Sequence, residues 1–121
     1  MSEIKTHKDL IVWQKSVAFV TEIYKFTKSF PDEEKFGIIS QLRRASVSIP
    51  VNYAEGAARH SRKEYIQFLY VFLGSVSEID TLLIISGNLN YSDRNDLINL
   101  QTQSDEIKKI LTSLIKSLNN S

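Results

Sequence analysis

Three carboxylates are the residues best suited to chemistry in this 121-residue chain. Glu55, Glu78 and Asp80 fall in segments with helical periodicity, and carboxylates on facing helices of a bundle can hold two metal ions. That site also needs a histidine three positions after a glutamate. Neither Glu55 nor Glu78 is followed by one. His7 precedes the periodic segments and His60 lies in a predicted turn, so we expect no metal or cofactor site.

The chain also lacks the residues that several other enzyme classes require. The chain has no cysteine, which excludes disulfides, thiolate metal sites and cysteine nucleophiles. It has no Gly-Lys-Ser/Thr sequence, so it has no phosphate-binding loop of that type. Small helical ribonucleases need an arginine four to six residues from a histidine, and His60 has none at that spacing. We therefore expect no catalytic residues.

A cluster of basic residues is the main candidate for binding. Residues 43–63 contain five basic residues and one acid, although the whole chain carries a net charge of only +1. Repeated around an oligomer, this cluster could follow a phosphate backbone, where each neutralised phosphate adds affinity that salt removes. The alternative is that Arg43 or Arg44 pairs with Glu55, Glu78 or Asp80 across the bundle while the others form a solvated turn. The candidates for nucleic-acid binding are Arg43, Arg44, Arg59, Arg62 and Lys63.

A proline marks the least regular part of the predicted framework. Pro50 lies inside a helical run, where its ring removes the hydrogen bond to the Ser46 carbonyl and pushes Ile49 away from α geometry. We expect a kink or a short break there, with polar side chains bonding the freed backbone groups. A role in fixing the subunit geometry is the first interpretation, and a binding role is the alternative. The residues assigned to this structural kink are Ser48, Pro50, Asn52, Glu55 and Gly56.

Four segments with helical periodicity position these residues. They span residues 10–28, 32–59, 62–86 and 93–118. Start and stop signals bound them, the candidates being Asp9, Pro31, Ser61 with Glu64, Gly87 with Asn88, and Asp93. Short connections between long helices favour antiparallel neighbours. The sequence thus predicts one all-α domain over residues 1–121, an antiparallel up-down-up-down four-helix bundle with a kinked second helix.

The first and third helices carry more apolar surface than a bundle core needs. The first has one stripe containing Trp13, Val17, Val20 and Tyr24 and a second that starts at Val12, so we expect two buried faces. A monomer would expose this surplus, which favours self-association over a cavity for an apolar ligand. In the third helix, small side chains would let another helix approach, with packing inside one subunit as the alternative. The residues assigned to helix packing are Gly74, Ser75 and Glu78.

The sequence also bears on location. The N-terminal residues lack the apolar core of a signal peptide, and we expect no stretch to reach the ~20 apolar residues of a membrane span. We expect a cytoplasmic protein that makes no membrane contact.

Several motifs taken together resemble a known family. The run from Gln41 to Gly56, followed by Arg59, Ser61 and residues 74–78, is similar to the signature of the 23S rRNA intervening-sequence protein family. Residues 13–15 (Trp-Gln-Lys) and 30–34 (Phe-Pro-Asp-Glu-Glu) match the same pattern, so the likeness covers almost the whole chain. The chain departs from the pattern at Tyr53, where the family usually has a smaller aliphatic residue, and at Asp80, where Glu is frequent.

The resemblance implies a four-helix bundle that is commonly a homopentamer, found in bacteria and sometimes encoded inside intervening sequences of large ribosomal RNA genes. The family includes the accessory protein of diversity-generating retroelements, a strongly basic barrel that binds a reverse transcriptase and nucleic acid. We predict a non-enzymatic, homo-oligomeric binding or scaffold protein for RNA, DNA or a nucleic-acid-associated protein. The alternative is a purely structural or protein-interaction oligomer, and a small nuclease or metal-carboxylate enzyme is the third choice.

Overall fold

The chain folds into four α-helices. The computed structural model describes residues 7–120, and side chains from residue 9 onwards. The helices are α1 (His7–Thr27), α2 (Ile38–Ala57), α3 (Arg62–Asn88) and α4 (Arg94–Asn119), with a 3-10 helix at Asp32–Glu34 between α1 and α2. No strand occurs in residues 7–120. The predicted all-α, four-helix fold is confirmed.

The helices form a square in which each packs on two neighbours. Helix α1 packs along α2 and α4, and α3 packs along α2 and α4, while no Cα atoms of helices on the diagonals come within 8 Å of each other in the described residues. Ile11 shares a groove with Ile110, and Phe26 shares another with Leu100. Residue numbers therefore rise along α1 while they fall along the adjoining part of α4.

One face of each helix lines the common core. On α4, apolar residues at alternating spacings of three and four form one face, which we call the α4 seam. It is buried as this spacing predicts, with Leu100, Ile107 and Leu111 almost inaccessible to water. A serine in the same seam, Ser104, is also buried and donates a hydrogen bond to Asp80 of α3. Asp80 also pairs with Lys108, so α3 and α4 share a polar contact within an otherwise apolar interface.

The predicted start of the second helix at residue 32 is wrong. Pro31 and the carboxylates after it form the separate 3-10 helix, in which the Glu34 N–H donates to the Pro31 carbonyl at 2.9 Å. Gly37 then leaves helical geometry with φ −108° and ψ −118°. The Glu34 carboxylate accepts a hydrogen bond from the Ile38 N–H at 3.3 Å, so it occupies the first turn of α2.

Two further boundary predictions need correction. Helix α1 begins at His7, so His7 does not lie outside the helices, and Asp9 lies within the first turn instead of capping it. Helix α3 continues to Asn88, and the left-handed residue after it is Asn90, with φ 56°. The predicted cap at Ser61 is confirmed, because its hydroxyl accepts a hydrogen bond from the Glu64 N–H at 3.0 Å.

Helix α3 is a longer apolar segment than we expected to find in this chain. By length and composition alone, it could cross a membrane, and 33% of its most apolar stretch is buried inside the bundle. The expectation that no segment reaches that hydropathy is wrong for α3. Its buried side chains, including Leu69, Phe72 and Leu83, belong to the shared core. Core helices of bundles share this composition.

Helices α2 and α3 form the most extensive pair. Gly56 lies so close to α3 that a Cβ atom there would be 2.7 Å from the Phe68 Cβ and 3.2 Å from Tyr65. Further along, the Ser75 and Ser48 hydroxyls share a hydrogen bond at 2.6 Å, in which Ser75 donates because the Ser48 proton is directed to the Ala45 carbonyl. The absence of a side chain at Gly56 therefore sets how closely the two helices pack.

We predict that Gly56→Ala destabilises the fold. Alanine adds ~1 kcal/mol of helix propensity, but overpacking against a Cβ atom costs ~1–3 kcal/mol, so we expect a net loss. Urea denaturation measures it. Gly87→Ala is the matched control, because its Cβ would meet only the movable Leu97 Cδ2 at 2.6 Å. A gain of stability in Gly56→Ala equal to that in Gly87→Ala would contradict the close approach.

Candidate functional site

One of the two apolar stripes on α1 faces water. Val12, Phe19 and Ile23 on the other stripe have no exposed surface, whereas Trp13 and Val17 are 37% and 39% exposed. The prediction of two buried faces is therefore wrong for a single chain, which buries only one. The second stripe remains apolar and accessible.

The exposed stripe continues onto α2. The Arg43 guanidinium stacks over the Tyr24 ring at 4.6 Å, and its Nε donates to the Thr27 hydroxyl at 2.9 Å. From this contact, Val47 and Val51 follow Arg43 by one and two helical turns, and both are exposed. We call the combined surface the α1/α2 face, and its members are Leu10, Trp13, Val17, Tyr24, Val47 and Val51.

The three residues predicted to serve helix packing have different environments. Gly74 and Glu78 are exposed on the outward side of α3, and a Cβ atom added at Gly74 would meet nothing within 4 Å. Ser75 points into the subunit, where its hydroxyl is hydrogen-bonded to the Ser48 hydroxyl. Packing inside one subunit therefore accounts for Ser75 but not for Gly74.

The predicted basic cluster is divided between two places. Arg43 of α2 lies against Tyr24 of α1, and Arg44 is exposed beside it on α2. Arg59, Arg62 and Lys63 are exposed around the turn between α2 and α3. The structure thus places Arg59, Arg62 and Lys63 around one turn, while Arg43 and Arg44 lie near the other end of α2.

Arg59 and Arg43 have partners within the subunit. Arg59 pairs with Glu55 at 3.5 Å and stacks over the Phe68 ring at 4.9 Å. Arg43 binds Thr27 and also donates to the Tyr24 carbonyl at 3.3 Å. The predicted pairing of Arg43 with a carboxylate across the bundle is wrong, because an aromatic ring and two oxygens of α1 occupy its guanidinium.

The three carboxylates considered for metal binding do not meet. Glu55 pairs with Arg59, Asp80 pairs with Lys108, and Glu78 is exposed on the outside of α3. The described part of the chain holds no group of three potential metal ligands. His60 is exposed in the α2–α3 turn, while the side chain of His7 lies outside the described residues.

Polar side chains surround Pro50, but the helix is not broken there. Helix α2 is continuous from Ile38 to Ala57, so the alternative of a short break is wrong, and the kink stays a prediction. The Ser48 hydroxyl donates to the Ala45 carbonyl and the Asn52 amide donates to the Ser48 carbonyl, both at 2.7 Å. Neither bond involves the Ser46 carbonyl, which loses its helical donor at Pro50, so both lie beside that freed group.

One buried polar contact was not foreseen from the sequence. The Tyr65 hydroxyl donates to the Asp9 carboxylate at 2.8 Å, and both residues are 1% exposed. Burial, with the Asp9 carboxylate adding to it, raises the pKa of Tyr65 well above its ordinary value of 10.0. Tyr53 packs edge-on against Tyr65 at 6.2 Å, and its buried hydroxyl has no hydrogen-bond partner among residues 9–120. The contact ties the start of α3 to the start of α1.

Comparison with known proteins gives a consistent picture. The sequence profile of the 23S rRNA-intervening sequence protein family matches residues 8–113. Among solved structures, the chain is similar to a protein of unknown function from the S23 ribosomal protein family of Bacteroides thetaiotaomicron. The two are 32% identical, the match covers 90% of this chain and 98% of that one, and the TM-score is 0.81. No curated protein matches.

We predict that alkali destabilises the fold through Tyr65. Because the pKa of Tyr65 is raised in the folded state, its contribution to stability is complete below pH ~10 and declines as pH rises above the unfolded pKa. Tyr65→Phe should cost ~1–3 kcal/mol near neutral pH, since Asp9 loses a buried donor. It should also flatten the alkaline decline. Urea denaturation between pH 7 and 11 measures both effects.

The exposed Tyr70 provides the control for this experiment. Tyr70→Phe should change neither the neutral stability nor its alkaline decline, because Tyr70 is 52% exposed. An equal decline in Tyr65→Phe and the unmodified protein would contradict the role of Tyr65.

We predict that Pro50→Ala changes both the stability and the assembly. Alanine restores the N–H that can bond the Ser46 carbonyl, and removing an interior proline can contribute up to about 3 kcal/mol. Straightening α2 should also displace Val47 and Val51 and so alter the oligomer mass. Thermal melting and light scattering measure the two effects. Gln41→Ala, exposed on α2, keeps the proline and is the control, and unchanged mass and stability in Pro50→Ala would contradict a structural role for Pro50.

Proposed function

The chain belongs to the 23S rRNA-intervening sequence protein family, and from this premise we propose that it is a non-enzymatic, homo-oligomeric scaffold that binds nucleic acid. The assembly is cytoplasmic and, by the family resemblance, contains about five copies. Its partner is RNA or DNA, reached directly or through a nucleic-acid-associated protein. Self-association and nucleic-acid binding, two parts of this proposal, have separate support.

The exposed α1/α2 face supports self-association. Trp13, Val17 and Tyr24 lie on one side of α1 at spacings of four and seven residues, and each is more than one-third exposed. Large contiguous apolar patches on soluble proteins are usually covered by a partner. Another copy of the same chain is always available at the concentration of the chain itself.

The α2–α3 turn supports contact with nucleic acid. Arg62 and Lys63 are exposed in the first turn of α3, and Arg59 lies just before them. Around a ring of subunits, one such turn would recur in every copy, so a long polyanion could contact several at once. Affinity from phosphate contacts would fall steeply with salt.

One observation favours the alternative of an assembly with no nucleic-acid role. Arg59 is already engaged by Glu55 and Phe68, so phosphate binding at Arg59 would compete with contacts inside the subunit. In that alternative, the basic turn contributes solubility, and the apolar faces alone define the function.

We predict a light-scattering mass near five times 13.9 kDa, and a salt-sensitive mobility shift of a single-stranded RNA or duplex DNA probe. Replacing Arg62 and Lys63 with alanine should lower the slope of log affinity against log salt by about 2 for each subunit in contact with the probe, one for each phosphate that is no longer neutralised. Replacing Lys28 and Lys35 removes the same charge at the other end of the bundle and is the control. A monomeric mass would overturn the scaffold. An oligomer that shifts neither probe at low salt would overturn nucleic-acid binding and leave the alternative of an assembly with no nucleic-acid role.

A further inference from the structure

The outward side of α3 is a second apolar surface, separate from the α1/α2 face. Its exposed residues recur at spacings of three and four, and we call it the α3 face, consisting of Tyr70, Val71, Gly74, Glu78, Thr81 and Ile85. Val71 and Ile85 are 53% and 41% exposed. Between residues 65 and 92 the only charged side chains are Glu78 and Asp80, and Asp80 is paired with Lys108. This face therefore exposes mainly uncharged and apolar side chains to water.

No contact among the described residues of the subunit requires a glycine at position 74. Glycine in a helix interior costs about 0.5–1 kcal/mol relative to alanine. Gly56 has a reason within the chain, since α3 lies against it, but a Cβ atom at Gly74 would meet nothing within 4 Å. A glycine between exposed apolar residues would instead let the backbone of a facing helix from another molecule come close.

The two faces of this chain complement each other in charge. Arg44 is exposed on α2 one turn before Val47, at the edge of the α1/α2 face, and Glu78 is exposed one turn after Gly74. Within residues 9–120, neither Arg44 nor Glu78 forms an ion pair. Each face therefore offers an apolar surface with one unpaired charge, and the charges are opposite.

We propose that the α3 face of one copy packs against the α1/α2 face of the next copy, with Gly74 admitting the facing helix and Arg44 meeting Glu78. This inference rests on the self-association proposed above and specifies its surfaces. Because the two surfaces differ, every contact leaves one unused face of each kind, and such an interface ends only when a ring closes. A dimer formed by two α1/α2 faces would leave Gly74 unused, and one formed by two α3 faces would leave Arg44 without Glu78.

Complementation between two blocked variants tests the pairing of unlike faces. Gly74→Leu blocks the α3 face, and Val17→Asp blocks the α1/α2 face, so each variant alone should be monomeric, near 13.9 kDa. Mixed in equal amounts, they keep one good face each and should form a dimer of twice that mass that grows no further. Ser117→Leu, exposed on α4, is the control and should assemble like the unmodified protein.

The outcomes separate this inference from the proposed self-association. If Gly74→Leu assembles fully, the α3 face is not used and the inference fails while self-association stands. If the unmodified protein is monomeric, both fail. Gly74→Ala guards against misfolding, because the alanine has open space in the subunit. It should raise the melting temperature of the dissociated chain and yet weaken assembly. An increase in both the melting temperature and the strength of assembly would overturn the inference.

Charge exchange tests the predicted contact directly. Arg44→Glu and Glu78→Arg should each raise the concentration at which the assembly dissociates, by about tenfold, because each places like charges opposite one another. The double variant should return close to the unmodified value. A double variant that dissociates as readily as the two effects combined would contradict contact between the two residues.

Discussion

A square of four helices buries one face of each helix, and this chain has more apolar side chains than four faces can hold. The excess has a definite place, since α1 keeps Val12 and Phe19 inside while Trp13 and Val17 remain accessible. Exposed apolar surface costs ~25 cal/mol for each Å² left in water, so an association that covers it is favoured. The behaviour of the protein in solution depends mainly on how this excess is covered.

Polar contacts inside the bundle determine which surface is left over. The Tyr65–Asp9 hydrogen bond joins the starts of α3 and α1, and Asp80 with Ser104 joins α3 to α4. A buried polar group without its partner is costly, so these bonds oppose any rotation or sliding of a helix. By holding α1 in one orientation, the Asp9 contact keeps Trp13 on the outside.

The sequence predicted what depends on local periodicity and missed what depends on distant contacts. The α4 seam and the Ser61 cap follow from spacings of a few residues, and both are confirmed. The Tyr65–Asp9 bond joins residues 56 positions apart, and Asp9 has the residue type and place of an ordinary cap. The two stripes of α1 have the same period, so the sequence could not show that only one is buried. Charge counting likewise could not foresee that Arg43 would stack on Tyr24.

The close packing of α2 on α3 also affects how the chain reaches its fold. The two helices are joined by residues 58–61 and meet at Gly56 and through Ser48 with Ser75, so their contacts close short loops at little entropic cost. Local contacts of this kind form quickly, and we expect this helical hairpin to precede the docking of α1 and α4. The α3 face would then exist early, but the α1/α2 face would be complete only when α1 docks. Two partly folded chains would thus be unable to join through this pair of faces until α1 has docked in at least one of them.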